Sequence, residues 1–413
     1  MLLVATGCNR TGGMQVTPLQ SPSAGGTQSA DPALAAVPGS GTLVMSWIEG
    51  NGTTWGLYSA VSTHGGTEWP APAPVAGGAE APGEVHPHGE SSPRLVAGPG
   101  ERLALVWPNQ VVVPGRKWPA AMLRFSRSMD GGRHWSVPIT LNDDTTGAPV
   151  SHQFHGAAWV KDSGLVVAWL DEREVPSPIA LGASGHDEHA AEPDATIYVT
   201  SSSDFGRTWT SNVVAWRAAC PCCRISLARD PHGDAIAAWR KHFPGNIRDV
   251  VTARLGLAPG APERVHPDDW AYAGCPHTGP AIAAGESSTH VVWYNGRENK
   301  VGVYYARLPD EQTGRGAVAL VAGPSLGVAH PAIAALADGG ALAAYDVSPG
   351  GSRRIELARL GPDGRVAGRV AIEGSEGGKY PQLAVLSDTS AVVGWTALDG
   401  EESRVRLARV TLR

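Results

Sequence analysis

One pattern recurs along nearly the whole chain and restricts the fold more than any other feature. Each copy is an apolar run, a turn rich in Gly, Asp or Ser, a second apolar run and a closing Trp or Tyr. The seven copies are "PALAAVPGSGTLVMSW", "PRLVAGPGERLALVW", "HGAAWVKDSGLVVAW", "RISLARDPHGDAIAAW", "PAIAAGESSTHVVW", "PAIAALADGGALAAY" and "PQLAVLSDTSAVVGW". They close on Trp47, Trp107, Trp169, Trp239, Trp293, Tyr345 and Trp395. Each copy predicts a β-hairpin whose two strands are buried on both faces.

A second, more amphipathic strand pair follows these hairpins, and it is clearest in "LRFSRSMDGGRHWSVPITL" and "IYVTSSSDFGRTWTSNVVAW". Two hairpins per repeat make a four-stranded antiparallel sheet. Units of roughly 40–60 residues with periodic aromatics and glycines are typical of propeller blades. The predicted fold is therefore an all-β propeller of four-stranded antiparallel blades in one domain, residues 31–413. Seven blades are preferred, and six are the alternative.

The two ends of the chain carry further predictions. The last repeat lacks an outer strand, which Met14 to Gln20 is predicted to supply by closing the ring. Residues 9–30 are rich in Gly, Ser, Thr and Gln, as in a flexible tether. Residues 1–8 end in "ATGC", which resembles the lipobox of bacterial lipoproteins after a truncated signal, with Cys8 as the lipidated residue. A disordered N-terminus of a soluble protein is the alternative.

Charge and hydropathy limit the partners. The formal net charge is -6 and no basic stripe is present, so nucleic acid is not an expected partner. No run reaches the ~18 apolar residues of a membrane span. Together with the lipobox, this predicts a protein of the cell envelope, in the periplasm or on the outer surface, that meets the membrane through a lipid anchor.

Two turns carry a specific signature, S-x-D-x-G-x-x-W. The matching residues are Ser128, Asp130, Gly132 and Trp135 in one turn and Ser202, Asp204, Gly206 and Trp209 in the other. They resemble the Asp boxes of the sialidase (neuraminidase, BNR-repeat) superfamily, in which the box fixes a turn and does no chemistry. Together, "CPCC" and "DDWAYAGCPHTGPA" also resemble sialidase-like bacterial envelope proteins. Sialidases themselves have six blades, one fewer than the repeats counted here.

The order of strands in a blade separates two rims. Asp boxes lie between the third and fourth strands, whereas loops that enter the first strand or leave the second lie on the opposite rim. Most of the histidines fall on that opposite rim, including the pairs His86/His88 and His152/His155. Because binding residues concentrate on loops at one side of a rigid scaffold, this rim is predicted to bind a small molecule, a glycan or a metal.

Four cysteines besides Cys8 fall in two loops of this rim, at Cys220, Cys222, Cys223 and Cys275. The loops enter neighbouring blades, so Cys275 is expected near Cys220 or Cys222. In an oxidising envelope the first expectation is two disulfides, or one disulfide with a vicinal Cys222–Cys223 bridge. A Zn or Cu(I) site that adds His277 or His155 is the alternative, and a redox-active role is the third.

The resemblance also implies a set of catalytic residues. Sialidases hold a carboxylate with three arginines and use a Tyr nucleophile with a Glu, and an Asp acid. The candidates on the predicted rim are Arg94, Arg224, Arg297, Tyr380 and Asp171, with Glu172 as an alternative acid. The family's F/Y-R-I-P motif is absent, and each arginine could instead pair with a loop acid such as Glu90 or Glu298. The prediction is therefore a ligand- or metal-binding propeller that is not an efficient sialidase; the alternatives are an exo-α-sialidase-type glycoside hydrolase and a protein-interaction scaffold.

Overall fold

The chain folds almost entirely into strands. The computed structural model describes residues 12–76, 84–116, 118–144, 147–175, 194–256, 258–309, 317–323 and 327–413, so that Cys8 and the predicted lipobox lie outside the described residues. Within these ranges the helical turns are the 3-10 segments Gly89–Ser91 and Pro349–Gly351, and no helix is long and apolar enough to cross a membrane. In chain order the strands are β1 (Met14–Leu19), β2 (Gln28–Ala36), β3 (Leu43–Gly50), β4 (Trp55–Ser62), β5 (Ala73–Ala76), β6 (Glu84–Val85), β7 (Arg94–Ala97), β8 (Leu103–Val111), β9 (Ala120–Ser128), β10 (Ile139–Thr140), β11 (His152–Val160), β12 (Gly164–Asp171), β13 (Ala195–Ser202), β14 (Val213–Ala219), β15 (Ser226–Arg229), β16 (Ala235–Phe243), β17 (Ile247–Leu255), β18 (Glu263–Arg264), β19 (Ala281–Ala284), β20 (Ser288–Asn295), β21 (Gly302–Pro309), β22 (Ala317–Ala322), β23 (Ala329–Ala335), β24 (Ala341–Val347), β25 (Arg354–Leu360), β26 (Val366–Ala371), β27 (Gly378–Ser387), β28 (Ser390–Asp399) and β29 (Glu402–Leu412).

Antiparallel hydrogen bonding groups the strands in order along the chain. Sheet 1 is β2–β5, sheet 2 is β6–β10, sheet 5 is β19–β22, sheet 6 is β23–β26, and sheet 7 is β27–β29 with β1. Strands β11–β18 form one eight-stranded sheet, in which we call β11–β14 sheet 3 and β15–β18 sheet 4. In sheet 2 the two short strands β6 and β7 both pair with β8. Sheets 3 and 4 run into one another through the single pair Ala219–Lys241. Several four-stranded antiparallel sheets of this kind are consistent with the predicted β-propeller.

The closing aromatics of the repeats form the centre of the core. Trp107 lies on β8, which follows the short strands β6 and β7 of sheet 2, and the others lie on the second strand of their sheet; all are at most 3% exposed. The strands that carry them are packed on both faces: Trp47 of sheet 1, for example, packs in one cluster with Val392 and Leu407 of sheet 7. Burial on both faces explains why these segments read as continuous apolar runs rather than as alternating ones.

The first strands pack side by side between neighbouring sheets. Each first strand contacts the next one, in the order β2, β7, β11, β15, β19, β23 and β27, and β27 also contacts β2. A channel of about 610 Å³ is lined by residues of β2, β7, β11, β15 and β27, including Leu34, Val96 and Trp159. These five first strands therefore line one cavity.

The N-terminal segment is attached to the sheets from residue 14 onward. Strand β1 pairs with β29 from Met14–Leu412 to Leu19–Leu407, at the edge where the sequence predicts a closing strand. The buried Glu49 carboxylate then accepts hydrogen bonds from the backbone N–H groups of Ala24 and Gly26. Within the segment predicted as a tether, Ala24 and Gly26 are thus hydrogen-bonded to a buried acceptor.

Both Asp boxes fix a turn and attach it to the preceding sheet. The Ser128 and Ser202 hydroxyls each accept the N–H of the box glycine at 2.8 Å and donate to Asp130 at 2.8 Å and Asp204 at 2.9 Å. Hydrogen bonds within the turns hold the pKa of both Asp carboxyls at about 2. The box glycines, Gly132 and Gly206, have φ of 91° and 75°. The box tryptophans contact the preceding sheet: the Trp135 indole N–H donates to Ser59 of sheet 1, and Trp209 packs edge-on against Phe125 of sheet 2.

Candidate functional site

Seven equivalent positions precede the buried part of the first strands. The five-residue segments are "DPALA", "SPRLV", "FHGAA", "RISLA", "GPAIA", "HPAIA" and "YPQLA". Their first residues, which we call the mouth residues, are Asp31, Ser92, Phe154, Arg224, Gly279, His330 and Tyr380.

Four mouth residues lie in the left-handed region, which non-glycine residues seldom adopt. Asp31, Phe154, His330 and Tyr380 have φ of 54°, 55°, 43° and 53°, and the register of each first strand shifts at that point. Bulges and left-handed residues of this kind cluster at functional sites, where they re-aim a side chain. A left-handed residue with a register shift thus recurs at four of the mouth positions, where the residue type differs from repeat to repeat.

The mouth and the Asp boxes lie at opposite ends of the sheets. In sheet 3, Ser202 of an Asp box pairs with Leu165 at the start of β12. Asp171 at the other end of β12 pairs with His152 and with Thr196. The rim predicted from strand order is therefore a separate surface in this sheet.

A buried ion pair occupies the mouth. Glu90, in the 3-10 turn Gly89–Ser91, accepts a hydrogen bond from Arg224 Nη1 at 2.7 Å on one oxygen and from Gly279 N at 3.0 Å on the other. Arg224 Nη2 donates to the Pro331 carbonyl at 2.7 Å. These contacts join sheets 2, 4, 5 and 6, so the guanidinium of Arg224 is already satisfied by the protein.

Arg94 is held differently. Its Nε and Nη1 donate long hydrogen bonds of 3.5 Å to the His155 carbonyl and to Gln382 Oε1, and its buried Nη2 has no hydrogen-bond partner. Among the described residues, no carboxylate forms an ion pair with it. Burial and the nearby Arg224 lower the pKa of Arg94 to about 9, which still leaves it charged at neutral pH. Ser92 Oγ, in the same strand entry, is also buried without a partner.

Acidic and phenolic groups surround Arg94. Burial raises the pKa of Asp31 to about 6, opposed by the backbone N–H of His88, 2.6 Å from its Oδ2, and by Arg94. Burial also raises the pKa of Tyr380 to about 12, and the carboxylates of Glu90, Asp346 and Asp31 act in the same direction. The mouth therefore combines a cation with spare donors, a carboxyl that titrates near neutrality and a half-buried phenol.

The structure brings Arg94, Arg224 and Tyr380 together and places Asp171 and Arg297 in other contacts. Asp171 Oδ2 accepts the indole N–H of Trp169 at 2.8 Å and lies 3.0 Å from His152 Nδ1. Glu49, Asn109 and Asp268 accept the indoles of Trp47, Trp107 and Trp293 in the same way. Arg297 Nη1 donates to the Asp268 carbonyl at 2.7 Å. Asp171 thus belongs to a repeated arrangement that holds the core tryptophans.

The cysteine loops meet as predicted, through one disulfide. Cys222 is bonded to Cys275, whereas Cys220 and Cys223 are buried thiols whose sulfurs lie 3.3 Å apart. The vicinal Cys222–Cys223 bridge is therefore wrong, because Cys222 is already paired with Cys275. The predicted second disulfide is not formed in this structure either, because the Cys220 and Cys223 sulfurs lie 3.3 Å apart, beyond bonding distance.

The predicted metal set is not assembled around these sulfurs. His155 is buried with Nε2 3.0 Å from the Val106 carbonyl, and His277 is exposed. In the part of the chain that the structure describes, the sulfur cluster with metal-ligand spacing is Cys220, Cys222 and Cys275, without a histidine. Two of these three sulfurs are bonded to each other and are not thiolate ligands.

Sequence reasoning missed Asp31 and Ser92 as site residues and named Glu90 solely as an ion-pair partner. A signal was present, since an X-Pro step lies in or just before five of the first strands and X varies among Asp, Ser, Gly, His and Tyr in an otherwise repeated segment. Variation at one fixed position of a repeat is what a site assembled from all repeats would produce.

Fold and mouth together define a class of protein: an all-β, propeller-like molecule with Asp-box turns at one end and a polar mouth at the other. Residues 41–393 match the family model described as a BNR repeat-like domain, and the chain belongs to that family.

Solved structures resemble the chain at low identity. A protein of unknown function from Dyadobacter fermentans is 14% identical, with 97% of this chain and 100% of that one covered and a TM-score of 0.54. The GH93 α-L-arabinofuranosidase of Fusarium graminearum is 12% identical, with 96% and 97% covered and a TM-score of 0.51. The leech intramolecular trans-sialidase is 12% identical, with 78% and 65% covered and a TM-score of 0.48. No curated protein sequence matches the chain significantly.

Proposed function

We propose that the protein binds a small anionic ligand, such as an acidic sugar, in the mouth beside Arg94. The observation that carries this proposal is the buried Nη2 of Arg94, which has no hydrogen-bond partner, on a guanidinium without an ion pair among the described residues. A buried N–H group of a guanidinium is costly to leave without an acceptor. A ligand carboxylate could accept two parallel N–H bonds from the planar guanidinium.

Neighbouring charges favour an anion at Arg94 rather than at Arg224. Arg224 already donates to Glu90 and to the Pro331 carbonyl. Asp31 lies close enough for Arg94 to lower its pKa, but among the described residues the two form no ion pair. Arg94 is therefore the cation of the mouth with capacity for a ligand.

Calorimetric titration with N-acetylneuraminate and glucuronate at pH 7 tests the proposal. The free acids should bind and their methyl esters should not, because esterification removes the charge. Arg94→Gln should weaken binding at least about tenfold, in line with the ~1.5–3 kcal/mol of a charged hydrogen bond. Arg354→Gln, at an ion pair with Glu356 outside the mouth, is the matched control. Equal binding of acid and ester, or full binding by Arg94→Gln, would contradict the proposal.

The second candidate is a glycoside hydrolase of sialidase type. It is favoured by Tyr380, which lies near the carboxylate of Glu90, and by Asp31, whose pKa of about 6 suits a general acid. The engagement of Arg224 by Glu90 and the contacts of Arg297 elsewhere weigh against a three-arginine clamp.

A fluorogenic sialoside separates the two candidates. Under the binding proposal, turnover by the wild type stays at the level of the blank. Turnover that Tyr380→Phe abolishes and Lys379→Met retains would favour the hydrolase, because Phe keeps the ring and removes the nucleophilic oxygen.

We also infer that sheets 1–7 are seven blades of one ring. In this arrangement sheets 3 and 4 are two blades, although they share one residue pair. The order of contacts between first strands supports a ring, because the last first strand, β27, contacts the earliest one, β2. The Cys222–Cys275 disulfide suits an oxidising compartment, and we extend the proposal to an envelope protein anchored through Cys8.

A further inference from the structure

Four cysteine sulfurs gather beside the mouth. The Sγ atoms of Cys220, Cys222 and Cys275 all lie within 4.8 Å of one another, and Cys222 and Cys275 form the disulfide. Cys223 Sγ lies 3.3 Å from that of Cys220. Cys220 and Cys223 are fully buried, whereas Cys275 is partly exposed. A disulfide and two thiols are thus in contact range inside one cluster.

Two buried arginines face this cluster. Arg240 and Arg248 are at most 2% exposed, and among the described residues neither forms an ion pair with a carboxylate. Arg248 Nη1 lies 3.1 Å from Cys220 Sγ, and Arg240 Nη1 donates to the Arg248 carbonyl at 2.7 Å. Buried cations are normally paired, so the acidic group they contact is favoured in its anionic form. That group is the thiol of Cys220.

The two thiols are consequently unlike. The contact with Cys223 lowers the pKa of Cys220 to about 6, with Arg240 and Arg248 acting in the same direction against burial. Burial raises the pKa of Cys223, and Cys220 adds to that effect. A thiolate beside a protonated partner in a C-x-x-C turn is the usual state of a reactive pair.

We propose that Cys220 and Cys223 are a redox-active dithiol that exchanges with the adjacent Cys222–Cys275 disulfide. The Cys220 thiolate attacks Cys222 Sγ, which forms a Cys220–Cys222 bond and releases Cys275 as a thiolate. Cys223 then attacks Cys220 Sγ, its proton passes to a released thiolate, and Cys222 leaves. The result is a Cys220–Cys223 disulfide with Cys222 and Cys275 reduced, so the oxidation state of the set is unchanged.

The partly exposed Cys275 connects this exchange to the outside. A thiol in solution, such as glutathione, can attack the Cys222–Cys275 disulfide there, while the inner pair is reached through the relay. The arrangement predicts that an oxidising equivalent can be stored on Cys220 and Cys223 out of reach of solvent thiols. Arg240 and Arg248 also donate to the carbonyls of Thr278, Tyr294 and Tyr272, and the contact that bears on the thiols is that of Arg248 Nη1 with Cys220 Sγ.

The exchange can be followed on the full chain in buffers of reduced and oxidised glutathione, with acid quenching, alkylation and peptide mass spectrometry. We expect both the Cys222–Cys275 and the Cys220–Cys223 linkages. We also expect an exchange rate that falls about tenfold from pH 7 to pH 5, as a thiolate with a pKa of about 6 is protonated. Cys222–Cys275 as the sole linkage at every glutathione ratio would overturn the proposal, as would one tightly bound zinc or copper held by four reduced thiols.

Two variants isolate the role of the thiolate. Arg248→Met should slow the exchange about tenfold at pH 5 and about twofold at pH 7, because losing the cation raises the pKa of Cys220 by about one unit. Arg264→Met, which removes an arginine paired with Asp249 and Asp269, should leave it unchanged. Cys223→Ser should stop the sequence at the Cys220–Cys222 linkage. If that variant does not fold, the Arg248→Met comparison and the wild-type pH profile still decide, and equal rates for the two arginine variants would refute the relay.

Discussion

Asp31 is a carboxyl in the mouth whose burial disfavours its charged form. Its side chain is 4% exposed and it occupies a left-handed backbone position, with the His88 N–H bonded to Oδ2. Burial raises the pKa of Asp31 to about 6 from 3.8. The folded protein therefore binds more protons than the unfolded chain between these two values, and stability contributed by protonated Asp31 is lost as the pH rises through about 6.

Asp31→Asn should remove this pH dependence. The amide oxygen can still accept the His88 N–H, but it carries no charge to bury. We expect the variant to gain up to about 3 kcal/mol over the wild type between pH 4 and pH 7, the equivalent of about two pKa units. Urea unfolding followed by tryptophan fluorescence across that range measures the difference. Asp363→Asn, at an exposed turn, controls for the loss of one negative charge, and parallel profiles for Asp31→Asn and the wild type would contradict the prediction.

At the level of strands, the sequence predicted the buried strands and did not predict the backbone bulges at their entry. Strands packed on both faces must be continuously apolar, so the repeats located the core tryptophans directly. The bulges at Asp31 and Tyr380 leave no such pattern, because a left-handed residue is set by local backbone geometry. The choice of Cys222 over Cys220 as the partner of Cys275 was likewise open, since both lie in one short loop.

Strand β1 offers a test of how much the outer edge of sheet 7 contributes. Met14 is 5% exposed and packs in a cluster with Leu412, whereas Gln15, the next residue, faces solvent. Met14→Asp should lower the free energy of unfolding by about 3 kcal/mol or more, because it removes apolar contacts and buries a charge. Gln15→Asp should change it by about 0.5 kcal/mol or less. Similar urea midpoints for the two variants would show that β1 does not stabilise the fold.

For the whole molecule, repetition explains both what was predicted and what was not. The order of repeats was enough to bring the loops of Cys222 and Cys275 together and to put Arg94, Arg224 and Tyr380 at one mouth. It was not enough to exclude Arg297, which follows a second strand and contacts Asp268 instead. A repeat fixes the end of the sheet on which a side chain lies, whereas its radial distance from the centre depends on loop length and contacts.

The pairing of β1 with β29 brings the first and last described residues next to each other, and Arg413 N donates to the Gly13 carbonyl at 2.9 Å. A linker of a few residues could therefore join the two ends and allow the backbone to be opened in another surface turn, as in circular permutation. The fold would then not depend on which repeat comes first along the chain.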